Sequence, residues 1–181
     1  MLCRNQRNKP LEHTALNHLK AHLKGKVVIL GIGNTLRSDD GVGSLLAGRI
    51  KDKVPYLVYD AGTSPENYLG KIIRDKPDNI VLIDAADFGG RAGELRVLEP
   101  QEVKTQNIFF THNASVSLVT DYLQNNLKAD IIVLFIQPQL TVFSDRISEA
   151  IKKVLEGLEK WFYHQAKEDK ADDPAEEKTK R

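Results

Sequence analysis

Three side chains that can bind a divalent metal, Asp40, Asp84 and His112, stand at points where predicted structural elements meet. Asp40 opens a helical pattern, Asp84 follows an apolar run, and His112 lies in a polar segment before another helical pattern. Two carboxylates and one imidazole suit a divalent first-row metal that keeps open coordination positions. A metal site of this kind requires a fold that brings the three together.

Each of these residues also has an ordinary structural explanation. Asp40 can simply cap the helix that follows it, and His112 can be a loop residue. Asp84 is harder to explain in that way, because a carboxylate at the end of a buried strand loses hydration unless it is paired or bound. Spacing along the chain leaves these alternatives open.

Three continuous apolar runs define the elements that must position these residues. They do not alternate with polar residues, and they are rich in β-branched side chains, which is typical of strands buried on both faces of a parallel sheet. The runs are Val27 to Leu30, Ile80 to Ile83 and Ile131 to Ile136. Two shorter strands, Leu57 to Tyr59 and Leu95 to Leu98, are predicted nearer the sheet edges.

Helical periodicity fills the gaps between these strands. Apolar residues recur at helical spacing over Val42 to Ile50, Val116 to Leu127 and Ile147 to Phe162, and Ser144-Asp145 is the expected N-cap of the last helix. Alternating strands and helices predict an α/β fold with three layers, α/β/α, around a mostly parallel sheet of about five strands. Ligands of such sheets bind outside the carboxyl ends of the strands, where the loop after the first strand, Asp60, Asp84 and Gln137 are expected.

The loop after the first strand also allows a dinucleotide-binding interpretation. Gly31 and Gly33 begin a G-x-G-x-x-G pattern, and Asp60 is placed to hold a ribose hydroxyl. However, Leu36 replaces the third glycine, and Asp39-Asp40 puts two negative charges where the helix dipole would attract a pyrophosphate. The pattern therefore favours a metal more than a nucleotide.

Length and composition indicate one globular domain with two charged ends. The 181 residues are enough for one substantial core. Residues 1–26 form a basic arm, with six basic residues against one acid, and a short helix is predicted within it. Residues 27–166 form the single α/β domain, and residues 167–181 form a charged tail that we expect to be disordered.

Charge and cysteine usage exclude several classes of partner. The formal net charge of +1 gives no electrostatic footprint for nucleic acid. Cys3, as the only cysteine, allows no internal disulfide and suits a reducing compartment, so we expect the cytoplasm. No apolar run approaches the roughly 18 to 20 residues that span a bilayer, so we expect no membrane association.

A set of short motifs, taken in order, resembles one enzyme family. The motifs are Gly31-x-Gly33-Asn34, Ser38 to Gly43, Asp60-Ala61-Gly62-Thr63, Asp84, Thr111-His112-Asn113 and Ile136-Gln137-Pro138. They are similar in order and spacing to those of the hydrogenase maturation endopeptidases, and most similar to the type that serves formate hydrogenlyase complexes. The resemblance covers roughly residues 27 to 160.

The resemblance implies an endopeptidase that removes the C-terminal extension of a nickel-iron hydrogenase large subunit once nickel has been inserted. It implies that Asp40, Asp84 and His112 contact nickel supplied by the substrate, with no tightly bound metal in the free enzyme. Asp60 is the candidate catalytic residue. Substrate contacts are implied for Gly33, Asn34, Asp39, Gly62, Thr63 and Gln137.

The sequence departs from the family pattern at Ala61, where many members have glycine, and at Ala114-Ser115, where some have Met-Pro. These departures concern substrate choice more than the metal site. The implied partner is the nickel-loaded large-subunit precursor. The alternative is a Rossmann-like dinucleotide-binding or nickel-sensing module without peptidase activity.

Overall fold

The structure is a computed structural model, and it describes residues 9–105, 109–110 and 115–171. Its strands are β1 (Val27–Ile32), β2 (Leu57–Gly62), β3 (Asn79–Asp87), β4 (Leu95–Leu98), β5 (Phe109–Phe110) and β6 (Asp130–Ile136). Its helices are α1 (Lys9–Ala21), α2 (Val42–Ile50), α3 (Leu69–Asp75), α4 (Pro100–Thr105), α5 (Ser115–Asn126) and α6 (Glu149–Ala171). Short 3₁₀ turns occupy Ser38–Gly41 and Pro65–Tyr68.

The sheet has the strand order β2-β1-β3-β6-β4. The first four of these strands are parallel, and β4 pairs antiparallel with β6. The two shorter predicted strands are β2 and β4, and both lie at sheet edges as expected. The short β5 lies off this path and pairs antiparallel with the end of β3, with Phe110 opposite Ala86. The prediction of a mostly parallel sheet of about five strands is confirmed.

Helices cover both faces of the sheet because the central strands are apolar on both sides. Successive strand residues point to opposite faces, so Ile29 and Val81 join the core under α1, α2 and α6, whereas Val28 and Leu82 join the core under α3, α4 and α5. This arrangement is the predicted three-layer architecture. In the part of the chain that the structure describes, no helix combines the length and apolar character needed to cross a bilayer.

The two ends of the chain differ in part from the prediction. Helix α1 lies in the predicted arm, and Leu19 is fully buried on the α2 and α6 side of the sheet. At the other end, α6 continues to Ala171, so residues 167–171 are helical. The prediction that the disordered tail begins at residue 167 is therefore wrong for these five residues. Lys20 pairs with Glu168 at 2.7 Å, which joins α1 to this last part of α6. Residues 172–181 lie outside the described part.

The predicted N-cap of the last helix is also wrong. Helix α6 begins at Glu149, and Ser148 lies directly before it, where its Oγ accepts a hydrogen bond from the backbone N–H of Ile151 at 3.4 Å. Ser144 does not take this role, because it stands five residues before α6 and its Oγ accepts a hydrogen bond from Arg146 N–H at 3.1 Å. Its N–H donates to Leu36 O and its carbonyl accepts from Ser38 N–H.

The N-terminus of α2 packs directly on the end of β1 and the middle of β3. A Cβ atom at Gly43 would lie 2.2 Å from Ile83 O and 2.3 Å from Ile32 O, so only glycine allows this approach. The facing residue Gly31 is equally restricted, because its Cβ would lie 2.2 Å from Gly43 O. Ile83 precedes Asp84, and Asp40 stands three residues before Gly43. This contact therefore brings the two predicted metal ligands together.

We expect Gly43→Ala to destabilise the protein by about 3 kcal/mol or more, since two carbonyl oxygens block the added methyl group. Gly48→Ala on the same helix is the matched control, because nothing lies within 4 Å of its Cβ position. Alanine there should stabilise by about 0.5–1 kcal/mol. Urea unfolding of both variants measures the effects, and equal midpoints would contradict the close packing of α2.

Candidate active site

Asp40 and Asp84 lie at the carboxyl edge of the sheet, and both are fully buried. Asp40 lies in the 3₁₀ turn before α2, whereas Asp84 lies within β3, which continues to Asp87 instead of ending at Asp84. Burial raises the pKa of Asp84 well above its usual value, the N–H of Ala85 opposes this shift, and the negative charge of Asp40 raises the pKa further. The two carboxyl groups are therefore close enough to interact, and a cation between them would relieve their repulsion.

The third predicted metal ligand, His112, lies outside the described residues, as do Thr111, Asn113 and Ala114. Across residues 9–105, 109–110 and 115–171, no three His, Cys, Asp or Glu side chains group together as a metal site. The structure thus brings together two members of the predicted set. The contribution of His112 remains a prediction.

Asp60 lies within β2 at the same edge of the sheet, opposite Gly31 of β1. Its side chain is held by two donors: Ser44 Oγ donates to Asp60 Oδ1 at 2.6 Å, and Gly62 N–H donates to the same atom at 3.0 Å. Asp60 is exposed, whereas Ser44 is buried on α2. The carboxylate therefore faces solvent in a fixed orientation.

Ser44 was not among the site residues predicted from the sequence. Helical periodicity placed it on the predicted helix Val42 to Ile50. No local pattern showed that its hydroxyl would donate to Asp60, which lies sixteen residues away on a neighbouring strand.

Asp39 was predicted to contact the substrate, but the structure shows it fully buried. Its carboxylate accepts hydrogen bonds from the N–H groups of Gln139 (2.9 Å), Leu140 (3.0 Å) and Ser148 (2.7 Å), and from Ser148 Oγ (2.8 Å). These bonds join two segments, residues 34–40 and 137–148, which we call the rim loops. Asp39 therefore holds the rim loops together, and its predicted contact with the substrate stays a prediction.

Gln137 is likewise buried and engaged with the protein. Its Oε1 accepts from the N–H groups of Phe88 (2.9 Å) and Gly90 (3.1 Å), and its Nε2 donates to Asp87 Oδ1 at 3.0 Å. This network shapes the turn that follows β3. The side chain of Gln137 is thus committed to hydrogen bonds within the protein, and its predicted contact with the substrate stays a prediction.

The remaining predicted substrate contacts surround the loop after β1 and the end of β2. Asn34 Oδ1 accepts a hydrogen bond from Leu36 N–H at 3.0 Å, which shapes its own loop. Gly33 has φ +153, and a Cβ there would lie 2.3 Å from Asp40 O, so glycine is required for the approach of the 3₁₀ turn. Gly33 N–H donates to Gly62 O at 2.8 Å. Thr63, which follows β2, is exposed.

The fold and these residues define an α/β enzyme with paired carboxyl groups at the carboxyl edge of its sheet. A family model described as hydrogenase maturation protease matches residues 41–164. The chain is 32% identical over 140 residues to the hydrogenase 3 maturation protease of Escherichia coli, covering 74% of this chain and 89% of the relative.

Solved structures agree with this match. The crystal structure of the nickel-iron hydrogenase maturation protease HycI from Thermococcus kodakarensis aligns with a TM-score of 0.74 and 36% identity, covering 83% of this chain and 99% of that chain. The solution structure of the endopeptidase HycI from Escherichia coli aligns with a TM-score of 0.68 and 29% identity, covering 77% and 90%. The chain belongs to the hydrogenase maturation proteases. The dinucleotide-binding alternative is not favoured.

The raised pKa of Asp84 predicts how the stability of the metal-free enzyme changes with pH. The carboxyl group of Asp84 holds its proton more tightly in the folded protein than in the unfolded chain. Below the usual pKa of 3.8 the group is protonated in both states, so burial of its charge costs nothing. As pH rises toward the folded pKa, this cost grows and the free energy of unfolding falls. Asp84→Asn should therefore stabilise at pH 7 by about 1 kcal/mol or more and have no effect below about pH 4. Urea unfolding across this pH range measures the difference.

Asp87→Asn is the contrasting control. Hydrogen bonds from Gly89 N–H and Gln137 lower the pKa of Asp87, so its charged form favours the folded state at neutral pH. This variant should not gain stability at pH 7. A pH-independent difference between Asp84→Asn and the wild-type protein would contradict the assignment of a raised pKa to Asp84.

Proposed function

We propose that this protease removes the C-terminal extension of a nickel-iron hydrogenase large subunit after nickel insertion, and that it recognises the nickel bound to its substrate. The observation that carries the proposal is that the carboxyl groups of Asp40 and Asp84 are both fully buried, and that the charge of Asp40 adds to the rise in the pKa of Asp84 caused mainly by burial. A buried pair of acids is costly without a compensating cation or shared proton. A metal ion in the precursor supplies that cation only when the correct substrate is bound.

His112 is proposed as the third ligand. The described chain on its N-terminal side supports this role, because Phe110 pairs with Ala86, two residues beyond Asp84. Two further residues of chain span at most about 7 Å. The imidazole would add a nitrogen donor to two carboxylate oxygens, a set that suits nickel. We propose that the free enzyme holds no metal tightly and that it acts in the cytoplasm.

Asp60 is the proposed catalytic residue, and two roles are considered for it. It can serve as the general base that takes a proton from the attacking water, or it can position the peptide while the substrate's nickel polarises the scissile carbonyl or activates water. The hydrogen bond from Ser44 supports either role, because it fixes the direction of the carboxylate. We propose Ser44 as a positioning residue for Asp60.

Purified nickel-loaded and nickel-free precursors test the metal site. The wild-type enzyme should cleave the loaded form alone, as read from the mass of the product. Asp40→Ala, Asp84→Ala and His112→Ala should each lower the cleavage rate about a hundredfold or more, since several kcal/mol of metal contact would be lost.

Two exposed residues provide matched controls for these substitutions. Asp130 is the first residue of β6, so it lies at the amino ends of the strands, away from the site. His164 lies on α6. Asp130→Ala and His164→Ala should cleave at the wild-type rate. Equal cleavage of the nickel-free precursor would remove nickel as the checkpoint, and binding without any change of mass would indicate a nickel-sensing module.

The two roles of Asp60 separate in the kinetics of Asp60→Asn. A general base predicts a fall in kcat of about 10²- to 10⁴-fold, whereas a positioning role in substrate binding alone predicts a raised KM with kcat unchanged. If Asp60 is the general base, Ser44→Ala should lower kcat by about tenfold with little change in KM, because Asp60 remains present but less well oriented. Wild-type kcat and KM for Ser44→Ala would contradict its role.

A further inference from the structure

The rim loops carry a group of exposed apolar side chains, which we call the apolar rim. It consists of Leu36 (57% exposed), Leu140 (48%), Val142 (58%) and Phe143 (84%). Among the described residues, only Leu118 and Tyr122 on α5 are comparable large apolar side chains left exposed. A group of exposed apolar side chains on joined loops is typical of a surface that another molecule covers.

The apolar rim is held rigidly by bonds beneath it. The backbone of Ser144 exchanges hydrogen bonds with Leu36 O and Ser38 N–H, at 2.9 and 2.7 Å. Arg37 Nη2 donates to Thr141 O at 3.2 Å, and Ser38 Oγ donates to Arg146 O at 2.7 Å. Together with the four bonds to Asp39, these contacts order the loops without burying their apolar side chains. A surface fixed in this way loses little conformational entropy when it binds.

The apolar rim is continuous with the candidate active site. Leu36 stands four residues before Asp40, and the backbone of Leu140 is bonded at both its N–H and its carbonyl to Asp39, the neighbour of Asp40. A molecule that delivers a metal to Asp40 must therefore pass close to these side chains. Another copy of this chain on the same surface would compete with that molecule for access.

We propose that the apolar rim is the docking surface for the folded body of the hydrogenase large-subunit precursor, an inference that rests on the proposed function. The partner surface should be apolar and should bury Phe143 and Val142 near the centre of the contact, where large side chains contribute most binding energy. The net charge of +1 provides little long-range attraction, so apolar contact is the main source of affinity. Docking here places the C-terminal extension over Asp40, Asp84 and Asp60.

The double variant Val142→Ser/Phe143→Ser tests the docking surface in the cleavage assay with nickel-loaded precursor. Loss of two buried apolar contacts should raise KM about tenfold to a hundredfold, with kcat unchanged because the groups around the cleaved bond are intact. Phe143→Leu keeps an apolar side chain and should retain most of the affinity. Thermal unfolding of these variants should match the wild-type protein, since both side chains are exposed.

Tyr122→Ser is the matched control, because it removes an exposed apolar side chain outside the rim loops. Its KM should stay at the wild-type value, and an equal rise for Tyr122→Ser would overturn the proposal. If the wild-type enzyme cleaves the loaded precursor and the double variant keeps its KM, the docking surface is wrong while the proposed function stands. If the wild-type enzyme cleaves no precursor, the proposed function itself fails.

Sedimentation of the free enzyme tests whether the apolar rim binds the precursor or a second copy of this chain. A monomeric wild-type protein supports docking of the precursor. A dimer that the double variant converts to monomer would overturn the proposal, because the apolar rim would then join two copies.

Discussion

The burial of two carboxyl groups beside one another is the constraint on which the site depends. Asp40 and Asp84 come from different elements, and they meet because Gly43 allows α2 to rest on the carbonyl oxygens of Ile32 and Ile83. Their mutual repulsion raises the energy of the site when both carry charge. The well-packed sheet and its two apolar cores provide the stability that offsets this cost.

Polar groups around this pair hold the neighbouring loops and strands in place. Asp39 and Gln137 are buried, and each accepts or donates several hydrogen bonds that fix a neighbouring loop. Ser44 does the same for Asp60 with a single short bond. The result is a rigid edge of the sheet on which exposed groups, Asp60 and the apolar rim, keep fixed positions.

The main strands and helices could be predicted because their signals are local. Continuous apolar runs identified β1, β3 and β6, and the shorter runs were correctly placed at the edges of the sheet. The start of α6 and the extent of its last turns could not be predicted, because they depend on distant partners: Ser144 is bonded to Leu36 and Ser38, and Glu168 to Lys20. Short elements such as β5 also form only through pairing with β3.

The sequence by itself determined the fold class and the family, and it singled out Asp40, Asp84 and Asp60, because each follows a recognisable pattern along the chain. Only the tertiary structure decided which acids are engaged by hydrogen bonds from distant loops and which are not held in that way. Asp39 and Asp40 are adjacent and chemically identical, yet the four donors around Asp39 come from residues 139–148, about a hundred positions away. A side chain's role depends on the groups that surround it in space, and no local pattern records those groups.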